Sequence, residues 1–71
     1  MDIFIFSTNV ESAEEVNLVN DLLSAIHSIK TWNFDLEDCD KILRVESEHI
    51  SPRAIEKLLQ TSGFACCELE Y

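Results

Sequence analysis

Three cysteines, Cys39, Cys66 and Cys67, are the side chains in this sequence best suited to metal chemistry. Thiolates are soft ligands, and two of them held close together bind Cu(I) or help to hold Zn(II). Cys66 and Cys67 are adjacent in a segment with strand character, so their side chains point to opposite faces and cannot easily share one ion. A thiolate site would therefore combine Cys39 with one member of this pair. We take Cys39 and Cys66 as the candidate ligands, and we expect Cys67 to be a small buried hydrophobic residue.

Carboxylates are far more numerous, but their pattern favours a solvated surface. The chain has 14 acidic and 5 basic residues and a net charge of −9. The run DLEDCD, residues 35–40, has the oxygen ligands of a hard-ion site. However, it lacks the glycine and the distal glutamate of an EF-hand loop. We therefore interpret this run as an acidic turn.

The remaining residues do not assemble a catalytic or nucleic-acid-binding motif. No Ser-His-Asp or Cys-His arrangement has supporting spacing, and a chain whose only glycine is Gly63 has no glycine-rich phosphate loop. The basic residues are scattered, which leaves no stripe of positive charge for a phosphate backbone. We predict a protein without enzymatic activity and without a nucleic acid partner.

Length and composition indicate one packed domain, residues 1–71, because 46% of the residues are hydrophobic and there is one Gly and one Pro. No segment approaches the roughly 18 apolar residues of a membrane span. The N-terminal stretch MDIFIFSTNV lacks the basic region of a secretory leader. Without a leader, reduced thiols are the default. We therefore expect a cytoplasmic protein that does not bind membranes.

Hydrophobic periodicity divides the chain into six elements. Helical spacing begins near Val16 and recurs after Ser51, which is suited to be an N-cap with Pro52 at the first helical position. Gly63 is placed to end the second helix in the left-handed conformation. Four stretches have strand character, residues 2–8, 30–36, 41–47 and 64–71. The predicted order is strand, helix, strand, strand, helix, strand.

The apolar sides of two amphipathic helices are buried most simply when both helices cover one face of a four-stranded sheet. The sequence therefore predicts an α+β, ferredoxin-like βαββαβ two-layer sandwich, with an antiparallel sheet and both helices on one face. The side chains expected beneath the helices are Phe4, Phe6, Trp32, Phe34, Leu43 and Val45.

The other face of this predicted sheet has no helix to cover it. Alternation places Ile3, Ile5 and Ile42 there, edged by Arg44 and Asn33, since the first and third strands are neighbours in this fold. Contiguous apolar patches often mark contact surfaces. We predict that this interaction face binds another protein or a second copy of the chain.

In their order and spacing, the segments FSTNV, TWNFD, DKILRVES and SGF resemble the heavy-metal-associated (HMA) domain family. This is the family of small copper chaperones and of the N-terminal modules of metal-transporting ATPases. The similarity covers nearly the whole chain and is closest to a bacterial stand-alone branch. Family members carry a CxxC pair in the loop that leads into the first helix, so the resemblance implies a Cu(I) or Zn(II) site in that loop.

The two cysteine positions of that motif fall on Ser12 and Glu15, in the stretch TNVESAEEV. A serine hydroxyl is a poor ligand for soft ions. Ser12-x-x-Glu15 instead fits a capping box, in which each side chain accepts from the other residue's amide. We therefore interpret the loop as a helix cap that has replaced the metal ligands.

The resulting hypothesis is a small, non-catalytic interaction module without a cofactor. The main alternative is a copper or zinc chaperone-like protein that binds Cu(I) or Zn(II) through Cys39 with Cys66. A third hypothesis is a docking partner of a metal transporter, with the ligands supplied by the other protein.

Overall fold

The computed structural model describes residues 2–37 and 41–69. Their secondary structure follows the predicted order. The elements are β1 (Asp2–Thr8), α1 (Ala13–Ser24), β2 (Ile29–Asp35), β3 (Ile42–Ser47), α2 (Pro52–Thr61) and β4 (Cys66–Glu68). The last strand is shorter than predicted and begins at Cys66. Phe64 lies outside it because its amide donates to the carbonyl of Leu59 at 3.0 Å and so belongs to the end of α2.

The strands form one antiparallel sheet in the order β2-β3-β1-β4. β1 and β3 are central neighbours, as predicted, and their register pairs Phe4 with Val45 and Phe6 with Leu43. The ferredoxin-like βαββαβ fold is therefore confirmed. Neither helix in the described part of the chain is long and apolar enough to cross a membrane.

The core lies between the sheet and the two helices. Its largest fully buried side chains include Phe6, Leu43, Leu23 of α1, and Ile55 and Leu59 of α2. The other predicted core residues differ in burial. Val45 is fully buried, whereas Phe4, Trp32 and Phe34 are half-buried and pack against the core from its margin.

Local signals set both ends of α2 as the sequence predicts. Ser51 is the N-cap, and its hydroxyl accepts from the Ala54 amide at 3.3 Å, with Pro52 in the first turn. At the other end, Gly63 has φ of +97°, and its amide donates to the Gln60 carbonyl at 3.0 Å. Together with the Phe64 bond to Leu59, this is a Schellman motif.

Glu56, a buried carboxylate on α2, holds the short edge strand β4 against the helix. Its Oε2 accepts from the Glu68 amide at 2.7 Å, and its Oε1 accepts from the Arg53 guanidinium at 2.8 Å. The bond from the Glu68 amide is the main cause that holds the pKa of Glu56 below its ordinary value of 4.5. Burial acts in the opposite direction, and the Arg53 bond adds to the lowering. The charged carboxylate is thus part of the folded structure.

We expect the stability of this domain to fall in acid partly through Glu56. Because its folded pKa lies below its unfolded pKa, its contribution is complete above the unfolded pKa and is lost as the pH falls through the folded value. Glu56→Gln should lower the free energy of unfolding at neutral pH by about 1–2 kcal/mol, since it removes the negative charge that strengthens the bond from the Glu68 amide and the oxygen that accepts from Arg53. The difference from the wild type should shrink in acid. Urea unfolding between neutral and acidic pH measures both quantities.

Glu48→Gln is the matched control. Glu48 pairs with Lys30 at 4.0 Å, and their side chains are 44% and 49% exposed. Exposed pairs contribute little, so this variant should track the wild type across the pH range. An equal pH dependence of the wild type and Glu56→Gln would contradict the assignment.

Candidate functional site

The loop that leads into α1, residues 9–12, lies at one end of the molecule between two other connections. Thr8 Oγ1 donates to the Lys41 carbonyl at 2.6 Å, which ties this end of β1 to the start of β3. Asn9 Oδ1 accepts from the Ala65 amide at 2.9 Å, which joins the loop to the turn after α2. Val10 is fully buried and anchors the loop in the core. Contacts with the start of β3, with the turn after α2 and with the core therefore hold the loop in place.

The predicted capping box at the start of α1 is confirmed. The Ser12 hydroxyl accepts from the Glu15 amide at 3.2 Å, and Glu15 Oε1 accepts from the Ser12 amide at 3.2 Å. The same oxygen also accepts from the Glu11 amide at 3.1 Å. The cap thus satisfies amides at the helix N-terminus, where a negative charge also favours the helix dipole. Both side chains at these positions are engaged with the backbone.

The structure reverses the expectation for the adjacent cysteines. Cys66 is buried, and Cys67 is exposed. The register explains the difference, because β4 pairs Cys66 with Thr8 and Cys67 with Ser7. Since Glu68 pairs with the buried Phe6, alternation puts Cys66 on the core side. The prediction that Cys67 is the buried member of the pair was wrong.

The environment of Cys66 is poor for a thiolate. Burial, followed by the nearby charge of Glu56 and by Cys67, raises the pKa of the Cys66 thiol to about 12. The thiol is therefore protonated at neutral pH, and a metal would have to displace its proton. Cys39, the other candidate ligand, lies outside the described residues.

Within residues 2–37 and 41–69, no three His, Cys, Asp or Glu side chains are grouped to hold a metal ion. In the acidic turn, Asp35 Oδ1 accepts from the Glu37 amide at 3.2 Å, so this carboxylate stabilises the turn itself. Residues 38–40 of the DLEDCD run lie outside the described part of the chain. The interpretation of the whole run as an acidic turn stays a prediction.

The sheet face opposite the helices carries the residues of the predicted interaction face. Ile3 is 50% exposed, and Ile5 and Ile42 are half-buried. Arg44 is paired directly with Ile5 and lies 4.0 Å from Glu46, which is paired with Ile3. Arg44 therefore lies within the face, between β1 and Asn33 of β2, rather than at its edge.

Leu69 is a member of this face that the sequence reasoning missed. Its amide donates to the Ile5 carbonyl at 2.8 Å, and alternation from Cys67 places its side chain beside that of Ile5. Alternation after Cys67 puts Leu69 on the same side of the chain as Cys67. The register of β4 against β1 was needed to assign that side to the open sheet face.

Several solved structures share the fold of this chain. The yeast copper transporter domain Ccc2a, solved in apo and Cu(I)-loaded states, matches with a TM-score of 0.83 at 17% identity, over 96% of this chain and 94% of that one. The N-terminal domain of ZntA in its Zn(II) form has a TM-score of 0.81 at 12% identity, over 96% and 92%. Oxidised MerP from Ralstonia metallidurans CH34 has a TM-score of 0.82 at 11% identity, over 97% of each chain.

At these identities the likeness shows the fold, which is the ferredoxin-like fold of HMA domains. No protein-family model matches the sequence, and no curated protein matches it.

The capping box predicts a measurable loss of stability on substitution. Ser12→Ala removes the acceptor for the Glu15 amide and should lower the free energy of unfolding by about 1 kcal/mol. Glu15→Ala should cost a similar amount, and the double variant should cost less than the sum because the two side chains act on one helix end. Urea unfolding of the four proteins gives the coupling.

Ser24→Ala is the control for this cycle. Its exposed hydroxyl donates to the Asp21 carbonyl at 3.0 Å near the end of α1, so its removal should change stability little. Strict additivity of the Ser12 and Glu15 substitutions would show that the cap does not act as a unit.

Proposed function

We propose that this domain is a non-catalytic protein-interaction module with the HMA fold, in which the loop leading into α1 is a helix cap instead of a metal site. The observation that carries the proposal is the reciprocal bonding of Ser12 and Glu15. The resemblance to HMA sequences places the CxxC cysteines at these two positions. Each side chain is committed to backbone amides at the start of α1.

Ligand chemistry supports the same conclusion. A hydroxyl and a carboxylate are hard ligands, whereas Cu(I) selects thiolates. Glu15 would also have to release the amides of Glu11 and Ser12 before it could bind an ion. The cap and a metal site at this loop therefore exclude one another.

Metal handling is the second candidate function, because the solved structures of similar fold include a Zn(II) form and a Cu(I)-loaded form. In this hypothesis Cys39 and Cys66 supply the thiolates for Cu(I) or Zn(II). The raised pKa of Cys66 weighs against it, since the proton of a buried thiol must be displaced.

The open sheet face is the surface that we propose for the partner. Ile3, Ile5 and Leu69 give it apolar area, and Arg44 and Glu46 give it charges of both signs. Mixed apolar and charged surfaces of this kind suit protein contacts. The net charge of −9 on each copy opposes self-association, so a partner with a basic surface fits better than a second copy.

An amide NMR titration of the reduced protein with Zn(II), and with Cu(I) under anaerobic conditions, distinguishes the two candidate functions. We expect no stoichiometric shifts at residues 11–15 or at Cys66, because the cap is closed and the thiol is protonated. The double variant Ser12→Cys/Glu15→Cys is the positive control, since it creates the CxxC spacing in the same loop and should bind Cu(I). Saturable shifts in the wild type at these residues would favour the metal-handling function.

The role of the sheet face can be tested with Ile3→Lys/Ile5→Lys. Losing two buried apolar side chains at an interface should weaken any association of this domain at least about tenfold. Sedimentation velocity of the purified protein and co-purification with partners from its source cells give the comparison.

Leu18→Lys is the matched control for this pair. Leu18 lies on α1 and is 56% exposed, so the substitution has the same chemistry on the helical side. It should leave association unchanged. Equal association of the wild type and the double variant would remove the sheet face from the proposal.

A further inference from the structure

A groove of about 530 Å³ runs between α1 and the edge strand β2. Val16 and Asn20 of α1 form one side, and Trp32 and Phe34 of β2 form the other. The indole Nε1 of Trp32 donates to Asn20 Oδ1 at 2.8 Å, which fixes the ring in the wall of the groove. The groove therefore has a rigid, largely aromatic wall directly beside the backbone of a sheet edge.

The two edges of the sheet differ in how they are protected. β4 has only three residues, and the amide of Glu68, on the outer side of this strand, donates a hydrogen bond to Glu56. β2 has seven residues and has β3 as a neighbour on one side only. A register irregularity between Ile29 and Thr31 interrupts only its first part. An edge strand of this length that no other described segment pairs with is a template for a further strand.

The charge around the groove defines the kind of strand that fits. Asp35 and Glu37 line it at the end of β2, and no basic side chain lines it among the described residues. A strand added to β2 would alternate its side chains between the groove and the open sheet face. Residues on the first side would meet Val16, Trp32 and Phe34, and residues on the second side would lie near Asp35.

We propose that the β2 edge and this groove bind an extended segment of a partner protein in which apolar and basic residues alternate, as an added fifth strand. Backbone pairing supplies affinity, and the groove and the carboxylates select the sequence. A second copy of this chain fits less well, because it would bring another net charge of −9 to the same acidic edge. The groove lies on the helix side of β2, whereas Ile3, Ile5 and Leu69 lie on the open sheet face, so the added strand would reach that face only at its β2 margin, near Asp35.

A capped heptapeptide of alternating valine and lysine is the probe. Because Trp32 is the only tryptophan in the chain, its fluorescence reports binding in the groove directly. Amide NMR of the same samples locates the site. We expect saturable binding, a change in Trp32 emission, and shifts concentrated in residues 29–35. The same peptide with methyl groups on its central amide nitrogens keeps its charge and loses its backbone donors, so it should bind much more weakly.

Asp35→Asn/Glu37→Gln removes the two groove carboxylates and keeps the Oδ1 acceptor of the turn. It should weaken peptide binding about fivefold, as expected for the loss of two surface ion pairs. The control Glu14→Gln/Asp21→Asn removes the same charge from exposed positions on α1 outside this groove and should bind within about twofold of the wild type. Ile3→Lys/Ile5→Lys should bind the peptide normally, so failure of the sheet-face proposal does not affect this one.

Three results would overturn the proposal. The first is no saturable binding, and the second is equal binding of the methylated peptide, which would mean charge attraction without strand pairing. The third is a concentration-dependent change at Trp32 without peptide, which would identify a second copy as the occupant.

Discussion

The pairing of β1 with β3 at the centre of the sheet fixes what most other residues can do. It sets Phe6 opposite Leu43 on the core side and Ile5 opposite Arg44 on the open side. Side chains alternate strictly along a strand, so a slip of one residue would turn the whole core set outward. The burial of Phe6 and Leu43 makes that slip costly. The composition of the open face therefore follows from the same contacts that form the core.

The loop leading into α1 is held in place by contacts within the protein. Its anchors, Val10 in the core and Asn9 bonded to the Ala65 amide, do not depend on a metal. The four free amides of a helix N-terminus must be satisfied in any case. Here Ser12 and Glu15 meet part of that requirement, which stabilises the loop without an ion. A metal-binding loop of this fold has to satisfy the same amides by other means.

The two sheet edges illustrate a second consequence of the fold. α2 packs against β4, and α1 packs against β2. On the β4 side, the buried carboxylate of Glu56 in α2 accepts a hydrogen bond from the Glu68 amide. On the β2 side, the helix contributes Val16 and Asn20, which leave a groove along the strand. Among the described residues, β4 thus has an edge amide bonded to the helix, and β2 has a strand neighbour on one side only.

Much of this structure is local and is determined by the sequence alone. The cap at Ser51, the left-handed Gly63 and the capping box at Ser12 each depend on residues within about four positions of one another. Their side chains and amides meet whatever the rest of the chain does. Periodicity likewise predicts the order of the elements and, through it, the ferredoxin-like fold.

Only the tertiary structure decided the features that depend on contacts between distant segments. The register between β4 and β1 decides which cysteine is buried, because a shift of one residue would exchange Cys66 and Cys67. A strand of three residues is too short for hydrophobic periodicity to predict that register. From the sequence alone, Glu56 is expected to be an exposed helical residue. Only the tertiary structure brings the Glu68 amide next to its carboxylate. The groove beside Trp32 exists because α1 leaves the β2 edge uncovered. Long-range register and helix placement are set by packing over the whole core, and no local pattern encodes them.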